Sequence, residues 1–204
     1  MPDRTAVVTG GTAGIGRAVS EGLAADGFNV IIVGHNPGRG ERVARDIQDR
    51  TNRGHVEFEA ADLSSLADAR ALGERMVRQH GRLDVVVHNF GGMYADRRVT
   101  GEGHEATLAT NVLVPLRLTL ELVPALRAAA PSRVVFVNSD AHKFAKPDLD
   151  DLEAERFTAA STCTPARNWS SFRSLDTLVS GWPTAAYPCS WSTRVAPGPS
   201  RSRR

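Results

Sequence analysis

The residue types that could do chemistry first gather between Thr9 and Gly16, read Thr-Gly-Gly-Thr-Ala-Gly-Ile-Gly. An apolar run stops at Thr9-Gly10, and a helix-forming stretch begins at Gly16, so strand, glycine turn and helix N-terminus follow one another without a spacer. Such a turn can hold a pyrophosphate. Gly10, Gly14 and Gly16 let the backbone come close to phosphate oxygens, with Thr12 and Ile15 on the same turn, while unpaired N–H groups at the positive end of the helix offset the negative charge. An ordinary strand-to-helix loop has the same outline, so the rest of the chain has to decide between them.

Further polar candidates stand at the ends of later apolar runs. His35 and Asn36 follow Phe28 to Gly34, Asp62 follows the run His-Val-Glu-Phe-Glu-Ala, and Asn89 ends Leu83 to Asn89. Ser139 ends Arg133 to Ser139, and Asn111 sits inside a long helical stretch from about Glu105 to Ala129 that tolerates Pro115 with a kink. Between these runs lie helices over Gly16 to Asp26, Glu41 to Arg50 and the stretch after Ser64 or Ser65, either of which supplies the cap. Strands that are apolar along their whole length and alternate with helices predict an α/β fold. Its form is a Rossmann-like, doubly wound parallel sheet with helices on both faces.

That alternation covers residues 1–157 as one domain and stops there. Residues 158–204 hold all three Trp, both Cys, nine Ser and five Pro, with no Glu or Lys and Asp176 as the one acid. No helical or strand period persists, so the expectation is an irregular, poorly ordered tail behind an incomplete sheet of about five strands. The 204 residues carry a formal charge of +2, with no long basic block, which gives no reason to expect nucleic acid or an anionic membrane as partner. No stretch reads as a membrane span and the N-terminus enters a strand within a few residues, so a cytoplasmic location is expected. Cys163 and Cys189 make neither a metal spacing nor a disulfide framework.

The glycine turn, Asp62-Leu63 after the third strand, His88-Asn89-Phe90-Gly91 after the fourth, Asn111 in the long helix and Asn138-Ser139 ending the fifth, in that order, resemble the short-chain dehydrogenase/reductase family. The stretch from Asn138 to Phe157 resembles its retinol-dehydrogenase-like branch. The resemblance implies an oxidoreductase that interconverts an alcohol and a ketone or aldehyde by hydride transfer with a nicotinamide cofactor, and relatives that are homo-oligomers. It gives Gly10, Gly14 and Gly16 to the pyrophosphate, Asp62 to the adenine amino group, and a backbone donor at Leu63. Asn89 and Gly91 fall on the ribose side, although Phe90 departs from the small residue usual there. Asp62 could equally cap the next helix, and Asn89 could be a turn former. At the end of the second strand, where an acid would favour NAD, stand Gly34-His35-Asn36 with Arg39 beyond, so NADP(H) is expected, with NAD possible. His35 and Arg39 could also be plain solvated loop residues.

In this family a serine holds the substrate oxygen, a tyrosine is the acid/base, a lysine four residues later assists it, and an asparagine anchors the relay water. Ser139 and Asn111 match the serine and the asparagine. The pair is missing: the lysines are Lys143 and Lys146, Tyr94 is followed at that spacing by Arg98, and Tyr187 by Trp191. The chain as written is therefore expected to be an inactive, nucleotide-binding remnant unless another proton donor exists. Cys163 to Ser170 admits codons that, read two bases on, encode Tyr-Ala-Arg-Thr-Lys-Leu-Val, and Trp191 to Pro197 admits Val-His-Pro-Gly-Gly-Pro in the same frame. A slipped reading frame between Phe157 and Cys163 would explain both the tail and the missing pair. It would leave the fifth strand as an exposed apolar edge.

Overall fold

The computed structural model describes residues 4–92, 94, 96–138 and 150–156, and residues 189–195 as backbone. Five strands and four helices alternate from Thr5 onward: β1 Thr5–Thr9, α1 Gly14–Ala25, β2 Asn29–Gly34, α2 Pro37–Thr51, β3 Val56–Ala60, α3 Leu66–His80, β4 Val85–His88, α4 Ala106–Ala128 and β5 Ser132–Asn138. A sixth strand, β6 Cys189–Val195, comes from the stretch expected to be irregular. The sheet runs β3-β2-β1-β4-β5-β6, and every neighbouring pair is parallel. This is the Rossmann-like order, with the chain reversing direction across the sheet between β1 and β4.

β6 pairs with β5 over its full length, from Ser132 opposite Cys189 to Asn138 opposite Val195. The fifth strand is therefore not the exposed edge expected from the sequence. The signal was a period of two: Cys189, Trp191, Thr193 and Val195 alternate with Ser190, Ser192 and Arg194. Its short length and the Ser- and Pro-rich surroundings hid it. The rest of the tail, with Cys163 and the proposed frame slip, lies outside the described residues, as do Ser139, Lys143 and Lys146.

Successive strand residues feed opposite faces, and two cores result. Val7, Ile31, Val33 and Val86 pack with Leu72, Met76, Leu118, Leu122 and Leu126 on the α3/α4 side. Ala6, Val8, Val30 and Ile32 pack with Val43, Ala44 and Ile47 on the α1/α2 side. Strands buried on both faces need apolar side chains at every position, which is why β1, β2 and β4 read as continuous runs. The α4 helix is long and apolar enough to cross a membrane by length and composition, against the sequence expectation. Two-thirds of its most apolar window is buried, which is the setting of a core helix.

α4 also replaces the expected kink with a wide turn. Residues Ala109–Leu113 form a π-helical turn, in which the Val114 N–H reaches the Ala109 carbonyl. Pro115 explains it: proline has no N–H to give the Asn111 carbonyl four residues back, and its ring would press on that carbonyl in a regular α-helix. The Thr119 hydroxyl donates to the Pro115 carbonyl at 2.8 Å and fixes the turn that follows.

Candidate functional site

The strand-order reversal opens a crevice beyond the C-terminal ends of β1 and β4, and the glycine turn lies there. Gly10 takes φ +65° and Gly14 φ +52°, left-handed values that suit glycine. Gly16 has a different reason to be glycine. A Cβ there would lie 2.4 Å from the Gly10 carbonyl oxygen and 2.4 Å from the Asn89 amide nitrogen. The turn is thus folded tightly onto the end of β4.

Thr9 and Asn89 hold it in that state. The Thr9 hydroxyl accepts from the Asn89 and Phe90 N–H groups at 3.1 Å each and donates to the Val87 carbonyl. The Asn89 side chain donates to the Thr9 and Gly10 carbonyls at 3.2 and 3.3 Å. Asn89 therefore staples the phosphate turn to β4, and its amide N–H groups are engaged in doing so. The polar role of Thr9 was not read from the sequence, where it is only the end of an apolar run.

The first turn of α1 is left open. Its N-cap is Ala13, no side chain among the described residues bonds its free N–H groups, and its first turn has no acid. The other helices are closed. The Asn36 side-chain Oδ1 accepts from Arg39 N–H at 2.9 Å at the start of α2. Ser65 caps α3 by accepting from Asp68 N–H, and the Glu102 carboxylate takes the Leu66 and Ala67 N–H groups at 2.8 Å each. Glu105 closes α4 by accepting from Leu108 N–H at 2.8 Å. An open α1 is what a bound phosphate requires, because its charge meets free donors at a helix N-terminus.

Thr12 lies over Gly34, where a Cβ would come 3.2 Å from the threonine methyl, while Ile15 is 52% exposed at the mouth of the turn. Beyond β2 and β3 is a cleft of about 560 Å³ lined by His35, Ala60, Ala61, Asp62, Asp68 and Arg75. Asp62 does not cap α3. Its Oδ1 instead accepts from the Ser64 N–H and hydroxyl at 2.9 and 2.7 Å, and these bonds, with nearby His35, hold its carboxyl below the usual aspartate range. Leu63 is buried in the core, so only its backbone could meet a ligand. His35 and Arg39 are both exposed, and Asn36, expected beside the cofactor, works as a helix cap.

Asn111 is brought to the same edge by the wide turn of α4. Its Oδ1 accepts from Gly92 N–H at 3.0 Å, and its Nδ2 donates to the Gly92 carbonyl at 2.6 Å and the Thr107 carbonyl at 2.9 Å. Gly91 packs under it: a Cβ there would stand 2.5 Å from Asn111 Oδ1. Gly91, Gly92 and Asn111 thus form one wall. Its other expected member, Ser139, lies one residue past the described end of β5. Behind the wall His88 is fully buried, its Nε2 2.8 Å from the Thr119 hydroxyl and its ring stacked on Phe136 at 4.8 Å. Burial pushes its imidazole down to about 3, so it is neutral near pH 7.

Residues 4–149 match the short chain dehydrogenase family. The chain belongs to that family. It is 39% identical over 150 residues to human dehydrogenase/reductase SDR family member 13, covering 74% of this chain and 39% of the relative. It is 34% identical over 152 residues to human retinol dehydrogenase 13, covering 74% and 46%, which puts it on the retinol-dehydrogenase-like side of the family. The chain thus spans less than half the length of these two short-chain dehydrogenases. Among solved structures, the Pseudomonas aeruginosa RhlG/NADP active-site complex superposes with TM-score 0.72 at 25% identity, over 97% of this chain and 74% of that one.

Proposed function

We propose that this short-chain dehydrogenase binds NADP(H) across the crevice between β1 and β4 and serves the family's hydride-transfer chemistry between an alcohol and a ketone or aldehyde. The observation that supports this best is the open N-terminus of α1 beside the Gly10–Gly16 turn, while every other helix start is closed by the chain's own side chains. Gly10, Gly14 and Gly16 would take the pyrophosphate and Asp62 the adenine amino group. The free Asp62 oxygen and the cleft beside it fit that role, since Ser64 occupies Oδ1. When bound, the cofactor supplies a hydride donor or acceptor. Asn111 and Gly92 shape the wall beside it, and Ser139 would hold the substrate oxygen.

NADP(H) is preferred over NAD(H) because no acid stands at the end of β2, where exposed His35 and Arg39 can meet a 2′-phosphate. The relative solved with NADP supports the same choice. Substrates are small-molecule alcohols or carbonyl compounds, and the location is cytoplasmic. Quenching of protein fluorescence by NADPH and by NADH tests the reading. NADPH should bind the tighter; equal or tighter NADH binding would remove the cofactor assignment.

A second reading is a nucleotide-binding remnant without turnover. It is favoured by the absence of any Tyr-x-x-x-Lys in the 204 residues. A slipped frame between Phe157 and Cys163 would have caused the loss, and the gene sequence across that window decides it by encoding, or not, the pair in another frame. NADPH consumption with a panel of ketones and aldehydes separates the two readings.

A further inference from the structure

The chain beyond β5 comes back to the start of α4. Residues 150–156 form a turn in which the Asp151 carboxylate accepts from Glu155 and Arg156 N–H at 2.8 and 3.1 Å, and the Asp151 carbonyl from Ala154 N–H at 3.1 Å. Ala154 is buried at φ +53°, a left-handed value that a residue with a Cβ adopts at a cost and that its surroundings must hold. This turn presents Glu153 to the loop that leads into α4. Glu153 Oε2 accepts from Glu105 N–H at 2.6 Å, Oε1 lies 2.9 Å from His104 Nδ1, and the Glu153 carbonyl accepts from Arg97 Nε at 3.0 Å.

The piece of helix that Glu153 reaches is short. Ala106–Leu108 is all the regular α-helix there is before the wide turn Ala109–Leu113, too little to sustain itself. Its donors are met by other groups: Glu105 N–H by Glu153, Ala106 N–H by the Arg98 carbonyl, and Leu108 N–H by the Glu105 carboxylate. Arg98 and Glu105 are neighbours in sequence and move with the turn. Glu153 comes from 48 residues beyond Glu105 and fixes the turn to the chain after β5, its charge at the positive end of the helix. The Thr107 carbonyl in that turn accepts from Asn111 Nδ2, and Asn111 holds both the N–H and the carbonyl of Gly92. We propose that Glu153 is a positioning residue for the nicotinamide half of the site, acting through the start of α4 and Asn111 on the Gly92 wall. This rests on the NADP(H) reading above. The adenine half is placed by His35 and Asp62, which follow β2 and β3, and not by this turn.

The test uses the full 204-residue chain and two ligands, NADPH and adenosine 2′,5′-bisphosphate, which carries the adenine half alone. Binding of each is followed by protein fluorescence. In Glu153→Ala the NADPH affinity should fall about fivefold or more, while affinity for the bisphosphate stays within about twofold of wild type. Glu153→Gln keeps an oxygen for Glu105 N–H and should hold NADPH affinity within about twofold. Hydrogen exchange read by mass spectrometry should speed up in the peptide containing Gly92 in Glu153→Ala and not in Glu153→Gln. Should the alanine variant fail to fold, Glu153→Asp, one methylene shorter, should show the same selective loss. Equal loss of both ligands, or NADPH affinity unchanged in the alanine and aspartate variants, overturns the positioning role and leaves the cofactor reading standing. A wild-type chain that binds neither ligand overturns the cofactor reading and this proposal with it.

Discussion

The N-termini of α1 and α3 follow equivalent strands of one parallel sheet and end on opposite arrangements. At α3 a carboxylate from Glu102, more than thirty residues away in sequence, takes two backbone N–H groups at 2.8 Å each, and Ser65 takes a third. At α1 no side chain among the described residues does this, and the residues that begin it are Ala13, Gly14 and Ile15. The electrostatics are the same at both ends, a set of orphan donors at the positive end of a helix. The difference teaches that the chain supplies its own anion where it needs only stability and leaves the donors free where a ligand's anion belongs.

The largest expected effect comes from closing the open end by force. In Gly16→Ala the new methyl would stand 2.4 Å from the Gly10 carbonyl, which is backbone and cannot swing away. The turn must shift, with ~1–3 kcal/mol lost in stability and NADPH binding weakened by about tenfold or more. Unchanged affinity by titration would break the contrast, because the turn would then not be the ligand's seat.

Acid tests the support behind that turn. His88 has a folded pKa of about 3 against about 6.5 when unfolded, so above pH 6.5 both states are neutral and nothing changes. Between pH 6.5 and 3 only the unfolded chain takes the proton, and stability should fall by up to ~1.4 kcal/mol per pH unit. His88→Asn should start lower and lose that slope in denaturant melts at several pH values. A slope that survives would place the acid sensitivity elsewhere.

Opening the filled end should matter less. Glu102→Gln removes the charge that meets Leu66 and Ala67, and should cost ~1 kcal/mol in thermal melts while leaving NADPH affinity alone. Smallest is the reverse exchange at the open end. Ala13→Asp gives α1 an anion of its own, and should raise the stability of the ligand-free chain by ~0.5 kcal/mol while weakening NADPH binding. A variant that is more stable and binds equally well would show that the two ends do not differ as argued.

The difference between the two ends was half legible in the sequence. Gly10, Gly14 and Gly16 announce a turn, and Val30 to Val33 or Val85 to Val87 announce buried strands, because each signal is local and repeated. Glu102 announces nothing, since a cap delivered from a distant loop leaves no spacing to read. Asn36 and Asp62 illustrate a related failure. Their positions were legible, but which of their lone pairs a neighbour already uses depends on Arg39 and Ser64 in three dimensions. Asn89 leaves both its roles open in the sequence, and only in three dimensions does its side chain reach the Thr9 and Gly10 carbonyls. β6 was missed because seven alternating residues among serines and prolines fall below what a period can establish.

The wide turn before Pro115 sets the phase of α4. Seven residues are about two turns of a regular α-helix, so an uninterrupted helix would align Asn111 with Leu118 in the leucine stripe that faces the core. The π turn adds one residue to that interval and rotates everything before it by about a residue's angle relative to everything after. Leu118, Leu122 and Leu126 keep their place against the sheet, while Asn111 is dialled out of their column and onto Gly92. A proline four residues downstream thus works as a clutch between a helix face that packs and a side chain that has somewhere else to be.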